Sequence, residues 1–310
     1  MNSWQLKTPV VLIIFNRPDT TEKVFEVIRQ VKPPKLFVIA DGSRVDRSDE
    51  AEKCAAARAI IDRVDWDCQV FKNYSNVNMG CKRRVSSGLD WVFNTIEEAV
   101  ILEDDCLPHP TFFRFCEELL EKYRDDERVM TITGTNLLSE WKTNIQSYHF
   151  SYYFNCWGWA TWKRVWQCYD VDMKLWSEPE VKKRIGDVIA DKKQYFNRKR
   201  LLDAAYLGNN NSWAYQFFFM CLLYSGMSIT PAKNLISNIG FSKEGTNTKV
   251  SNDQRANMPL QSMNFPLKDP LGIAVDREHD YRRYKKVWEK SLSKSILRKT
   301  KRLLVNSKSM

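Results

Sequence analysis

The sequence predicts an α/β fold: a mostly parallel, Rossmann-like sheet with helices on both faces, followed by a basic amphipathic C-terminal helix. Three observations carry this expectation. Over residues 10–133, short apolar runs alternate with amphipathic helical stretches joined by short links, the pattern of consecutive βαβ units. The apolar runs are unbroken rather than alternating, as in strands covered on both faces. Past residue 280, Tyr281, Tyr284, Trp288, Leu292 and Ile296 recur at helical spacing among Lys and Arg. Such a helix docks on its own domain or lies on an anionic membrane surface.

Residues 10–15 (VVLIIF) form the first strand, and Asn16-Arg17-Pro18-Asp19 breaks it. Asp19 and Glu22 mark a helix start, continued by Val24, Val27, Ile28 and Val31 until Pro33-Pro34. Residues 36–40 (LFVIA) make a second strand, stopped by Asp41-Gly42-Ser43. An acidic, polar helix follows over 48–63, then a short strand over 68–71. Asn78-Met79-Gly80 opens a helix running through Val92. Residues 99–102 are the fourth strand, 110–123 are helical, and 129–133 return to strand.

Beyond Thr135 the character changes. The segment 148–166 is densely aromatic, suited to core packing or to a face that packs on a sugar ring. Residues 181–206 read as one charged helix, 212–224 as a buried helix and 228–239 as a strand pair. Residues 241–250 form a polar loop able to act as a lid. Residues 1–140 and 141–280 read as two halves of one domain, with 281–310 as a tail.

The fourth strand runs straight into Glu103, Asp104 and Asp105. Three adjacent carboxylates repel, so the grouping is costly unless a cation or ligand hydroxyls compensate it. Hard oxygen donors suit Mg²⁺ or Mn²⁺, with water and substrate phosphate completing the shell. The bland alternative is a solvated acidic loop. In a parallel sheet, however, the C-terminal strand ends gather along one edge, where such folds bind ligands. Asn16-Arg17, Asp41-Gly42 and Glu103-Asp104-Asp105 each follow a strand directly and are expected to converge there. Neither a P-loop nor a dinucleotide-binding glycine fingerprint occurs.

Composition sets the bounds. Apolar and charged fractions of 43% and 28% over 310 residues are ordinary for a globular chain. No apolar run reaches membrane-spanning length, and residues 1–8 do not resemble a signal peptide. The net charge of +10 resides in the tail. Residues 282–310 hold eleven Lys/Arg against one acid, Glu289, while the rest balances at 37 basic and 37 acidic residues. A body without basic bias argues against nucleic acid as a partner. Eight cysteines without a C-x-x-C pair, and three histidines, argue against zinc. Lacking an export signal, the chain is expected in a reducing cytoplasm.

The motifs VVLIIFNRP, FVIADGS, NMGCKRRVSSGLDWVF, AVILEDDCLPHPTFF and NCWGWATWKRVW, in that order, resemble the GT-A glycosyltransferases. The likeness spans roughly residues 9 to 250. It is similar to the bacterial sugar transferases called hemolysin-like (HlpA-like), and more distantly to N-acetylglucosaminyltransferase I. The resemblance implies a metal-dependent transfer of a sugar, GlcNAc among the candidates, from a UDP-linked donor. The acceptor would be a surface glycan, free or lipid-linked, in polysaccharide biosynthesis. It implies Asp105 as the Mn²⁺ or Mg²⁺ ligand, with Glu103 and Asp104 holding sugar and ribose hydroxyls. Arg17 would sit by the diphosphate, with Lys82 or Arg83 also facing it. Asp41, beside Gly42, would accept from base or ribose, and Trp157-Gly158-Trp159 would floor the acceptor side. The tail over 282–308 would hold the enzyme peripherally at the inner membrane face.

Two departures stand out. After Trp213, relatives carry an Asp that serves as the base of inverting members; here the position is Ala214. Asp170, Asp172 and Asp203 are the substitutes the sequence offers. Relatives of the hemolysin-like type also tend to have a His near Asn247, which is absent here. A catalytically silent sugar-nucleotide-binding protein is therefore one alternative. A sugar nucleotidyltransferase is another, although Phe15-Asn16-Arg17-Pro18 lacks the Gly-rich phosphate loop such enzymes carry. A third is a membrane or nucleic-acid binder driven by the tail.

Overall fold

A computed structural model of the protein describes residues 4–241 and 253–289. Nearly all of the expected lid (241–250) and the tail beyond residue 289 lie outside the described residues.

Strand β1 (Val10–Ile14) is buried at all five positions. Successive side chains point to opposite faces of a sheet, so both faces are covered, which explains the unbroken apolar run. Helix α1 (Pro18–Val31) starts on a proline, whose missing N–H costs nothing in the first turn. It buries Thr21, Val24, Phe25 and Ile28 along one stripe, with each large apolar side chain worth about 1.5–3 kcal/mol. The helix ends at Lys32, whose left-handed backbone (φ 50°) sends its N–H to the Ile28 carbonyl. The prolines that follow bar a further helical turn.

β2 (Lys35–Ala40), α2 (Glu50–Ile60), β3 (Gln69–Tyr74), α3 (Gly80–Phe93) and β4 (Glu98–Glu103) complete a parallel half-sheet in the order β3-β2-β1-β4. Its register decides the site. Ile14 lies opposite Ala40, and Ile13 lies opposite Glu103. The C-terminal ends of β1, β2 and β4 are therefore level.

The second half contains β5 (Cys106–Pro108), α4 (Thr111–Lys122), β6 (Val129–Thr133), β7 (Tyr148–Ser151), β8 (Trp159–Trp162) and α5 (Lys163–Trp166). After these come α6 (Pro179–Ile189), α7 (Lys192–Tyr206), α8 (Ala214–Leu223), β9 (Met227–Pro231), β10 (Ile236–Asn238) and α9 (Arg277–Tyr284). The eight-stranded sheet runs β3-β2-β1-β4-β8-β6-β9-β7, with four parallel and three antiparallel pairings. Strands from 1–140 and from 141–280 interleave in this one sheet. The expected mostly parallel α/β architecture is observed.

Several elements differ from expectation. β8 inserts antiparallel between β4 and β6; all four of its residues are buried, so no alternation marks it as a strand. The single helix expected over 181–206 is two. Ala190 is left-handed (φ 52°), and the Asp191 carboxylate then caps α7 by accepting from Gln194 N–H. The strand pair expected over 228–239 is no hairpin. β9 joins the main sheet, while β10 pairs with β5 in a separate two-stranded ribbon. α9 docks through polar groups as well as through part of the expected aromatic stripe: Asp280 accepts from Ser151 Oγ, Arg283 donates to the Tyr153 and Phe154 carbonyls, and Tyr284 is buried, while Tyr281 is exposed.

Candidate active site

The three level strand ends open onto a cleft of about 250 Å³. Asn16 and Arg17 enter from the end of β1, Asp41 and Arg44 from the end of β2, and Glu103, Asp104 and Asp105 from the end of β4. The convergence expected from sequence is present. Trp157 and the start of α8, with Trp213 and Ala214, line the cleft on the side of the second half.

The β4 acids are held unequally. Asp104 is buried, and its Oδ2 accepts from the Phe15 N–H at 3.0 Å. Asp105 is buried and accepts from Arg17 Nη1 at 2.6 Å and more weakly from Asn238 Nδ2 at 3.4 Å. Glu103 is partly exposed to the cleft. Enclosure, with Asp105 and Asp104 as neighbours, pushes the Glu103 carboxyl up to about 8. Burial, then Asp105, pushes Asp104 up to about 7. Burial alone would lower the Arg17 guanidinium, but the charges of Asp104 and Asp105 outweigh it and hold it above its ordinary value. Three acids thus face one arginine, and negative charge is left uncompensated.

That excess is what a hard divalent cation relieves, so the donor set fits one. Among the described residues no three His, Cys, Asp or Glu side chains converge as a complete metal cage. One or two of these carboxylates, with phosphate oxygens and water, is the shell Mg²⁺ ordinarily takes.

Asp41 behaves differently. Its Oδ1 accepts from the Gly42 and Met79 N–H groups, and its Oδ2 accepts from Gly80 N–H and Asn78 Nδ2, at 2.9–3.2 Å. An ionised carboxylate offers about four lone-pair sites, and all are taken. Asp41 ties the 78–80 turn to β2 and has no acceptor capacity left for a base or ribose. Gly42 does not line the cleft; its backbone packs so closely on Val77 that a Cβ would lie 2.5 Å from the Val77 carbonyl carbon.

The remaining expected residues divide. Lys82 is half-buried, Arg83 is exposed, and neither lines the cleft. The α3 cation that does is Arg84, whose Nε donates to the Ala40 carbonyl and Nη2 to Asn73 Oδ1. Trp157 lines the cleft, its ring edge-on to Phe241 with centroids 5.5 Å apart. Gly158 does not; its φ of +60° and the Ile236 side chain, 2.4 Å from where a Cβ would sit, make it a packing glycine. Trp159 is wholly buried core, stacked on Trp213 at 5.2 Å. Asp203 sits on α7 outside the cleft, paired with Lys199 and accepting from Trp176 Nε1. Asp170 and Asp172 also lie off the cleft, with Asp170 accepting from the Asp172 and Lys174 N–H groups. Ala214 brings a methyl group to the cleft and no proton acceptor. Arg44, Glu50, Asn78 and Asn211 escaped the sequence reading because polar loop and helix-start residues carry no periodic signal.

No family model matches the chain, and no curated protein matches it. Solved structures similar to it include three at 10–12% identity. The 4-diphosphocytidyl-2C-methyl-D-erythritol synthase of Anaerococcus prevotii has a TM-score of 0.34 over 55% of this chain and 75% of that one. A UDP-glucose pyrophosphorylase complexed with UDP-glucose has a TM-score of 0.38 over 77% and 96%. The galactosyltransferase LgtC in complex with donor and acceptor sugar analogs has a TM-score of 0.37 over 91% and 96%. Likeness at this level bears no functional weight.

Proposed function

We propose that the protein is a metal-dependent glycosyltransferase that moves a sugar from a nucleoside-diphosphate sugar, UDP-linked in the first instance, to a glycan acceptor. The observation that carries the reading is the under-compensated acid cluster Glu103-Asp104-Asp105 at a sheet edge, met by Arg17 in a cleft that Trp157 and Trp213 also line. The motif order supports it independently.

A divalent cation bound at Asp105, with Asp104 beside it, would supply charge to stabilise the departing diphosphate without proton transfer. Arg17 brings a fixed positive charge to the same place, already desolvated and oriented by Asp105, so little reorganisation is needed when the leaving group gains charge. Asp104, pinned by the Phe15 N–H, fixes the β1 and β4 loops relative to each other. Trp157 offers an apolar face to a sugar ring. Burial, together with the negative charge of their neighbours, makes Glu103 and Asp104 reluctant to ionise, and the charge-borne part of this reluctance should fade when a cation arrives. A lipid-linked surface glycan as acceptor, with the enzyme held at an inner membrane face by 282–308, belongs to this reading.

Ala214 favours a second reading, a silent nucleotide-sugar-binding protein, because it brings a methyl group to the cleft at the position where relatives carry the base. Incubating the full chain with a panel of nucleotide sugars and Mn²⁺, and following both thermal stabilisation and donor turnover, separates the two. Stabilisation with turnover supports the transferase. Stabilisation without even slow donor hydrolysis supports the silent protein, and no stabilisation by any donor rejects both.

A further inference from the structure

A second carboxylate at the sheet edge, outside the acid cluster, organises a different part of the cleft. Glu50, at the start of α2, is buried. It accepts from the Arg44 backbone N–H at 2.7 Å, from Arg44 Nε at 3.0–3.1 Å and from Arg44 Nη2, and from Asn16 Nδ2 at 2.8 Å. An acid so paired is ionised. Burial alone would raise its pKa, but the Arg44 guanidinium and the N–H groups around it hold it below the usual carboxylate range.

Its charge dictates how its neighbours are turned. An ionised carboxylate accepts only, so the Asn16 amide must present its NH₂ to Glu50 and direct its carbonyl oxygen elsewhere. Arg44 spends Nε and Nη2 on Glu50, and no described protein group receives Nη1. Both residues line the cleft, and the Arg44 guanidinium lies 5.5 Å from the centroid of the Phe15 ring. Asn16 and Arg44 both donate to Glu50 Oε1, so the cleft wall carries one amide acceptor and one guanidinium donor tied to the same carboxylate, with the Phe15 ring beside Arg44. Asp41, fully bonded to its own loop, leaves recognition of a ligand edge to them.

We propose that Glu50, through Asn16 and Arg44, makes the cleft selective for a nucleobase with a ring N–H beside a carbonyl, the edge of uracil or guanine, over cytosine and adenine. The ring N–H would donate to Asn16 Oδ1 and the adjacent carbonyl would accept from Arg44 Nη1. Cytosine and adenine bring a lone pair to the place where Asn16 offers another. A buried polar site matched to one pattern rejects the mismatched one strongly, because its own groups are left unpaired. The inference rests on the nucleotide-binding reading above.

The test is equilibrium binding of UDP, GDP, CDP and ADP to the full chain with Mn²⁺. UDP should bind about tenfold or more tighter than CDP, which differs from it only at the ring edge, and GDP tighter than ADP. Asn16→Ala removes the acceptor and leaves the Glu50–Arg44 pair in place; it should bring UDP and CDP within about threefold of each other, mainly by weakening UDP. Glu50→Gln should do the same if the variant folds. If the unmodified chain binds none of the four, the nucleotide reading falls and this inference with it. If it binds them but does not favour UDP over CDP, or if Asn16→Ala weakens all four equally, only the inference falls.

Discussion

The two groups of acids at the sheet edge are chemically alike and physically opposite. Asp41 and Glu50 each sit among more donors than they have charge to satisfy: four N–H groups for Asp41, a guanidinium with further N–H groups for Glu50. Glu103, Asp104 and Asp105 share one arginine and a few weaker donors, and two of the three are pushed toward neutrality. Burial penalises the charge of every one of these acids, so the supply of donors decides the outcome. The difference teaches that position at a ligand-binding edge does not make an acid a ligand. Saturated acids build and orient the cleft, whereas starved ones leave charge to be met from outside.

Each side of that contrast can be broken. The largest effect should come from Asp105→Asn, which keeps the side-chain shape but removes the charge: metal-supported donor turnover should fall by about 10²–10³-fold, with a near-native circular dichroism spectrum. Full turnover in that variant would remove Asp105 from the chemistry. Asp41→Ala should instead cost stability, about 3 kcal/mol in a denaturant titration, because it orphans several buried N–H groups at once. If turnover collapses while stability holds, the division between structural and functional acids is wrong.

The pH dependence sharpens the contrast without mutation. Glu103 and Asp104 are raised above their unfolded values, so the native state holds more protons than the unfolded chain between about pH 4 and about pH 8. The stability they contribute is complete below about pH 4 and is lost as pH rises through about 7 to 8. Metal-free protein should therefore melt a few degrees lower at pH 8.5 than at pH 6.5, and Mn²⁺ should recover the difference. Buried His149 and His279 act in the opposite sense. Burial lowers both, so stability falls as pH drops below their unfolded value near 6.5. Glu103→Gln should shrink the alkaline limb to the part Asp104 contributes and leave the acid limb unchanged. The smallest effect is expected from Asp203→Asn. A half-exposed pair with Lys199, remote from the cleft, should shift stability by no more than about 1 kcal/mol and turnover less than twofold. A large loss of turnover there would reopen Asp203 as the missing base.

Local pattern determined much of this protein by itself. Apolar runs at 10–15, 36–40 and 99–102, each ended by Asn-Arg-Pro, Asp-Gly-Ser or Glu-Asp-Asp, were enough to specify parallel strands with polar ends meeting at one edge. Chain order, the twist of parallel sheets and the burial of both faces leave little else for such runs to do. Only tertiary structure decided which acids at that edge are satisfied. Asp41 meets the 78–80 turn from nearly forty residues away, Glu50 meets Asn16 across two elements, and Trp159 enters the core because β8 slides between β4 and β6. A residue's periodicity reports its own burial, whereas the count of donors around a carboxylate belongs to the groups that long-range folding brings to it.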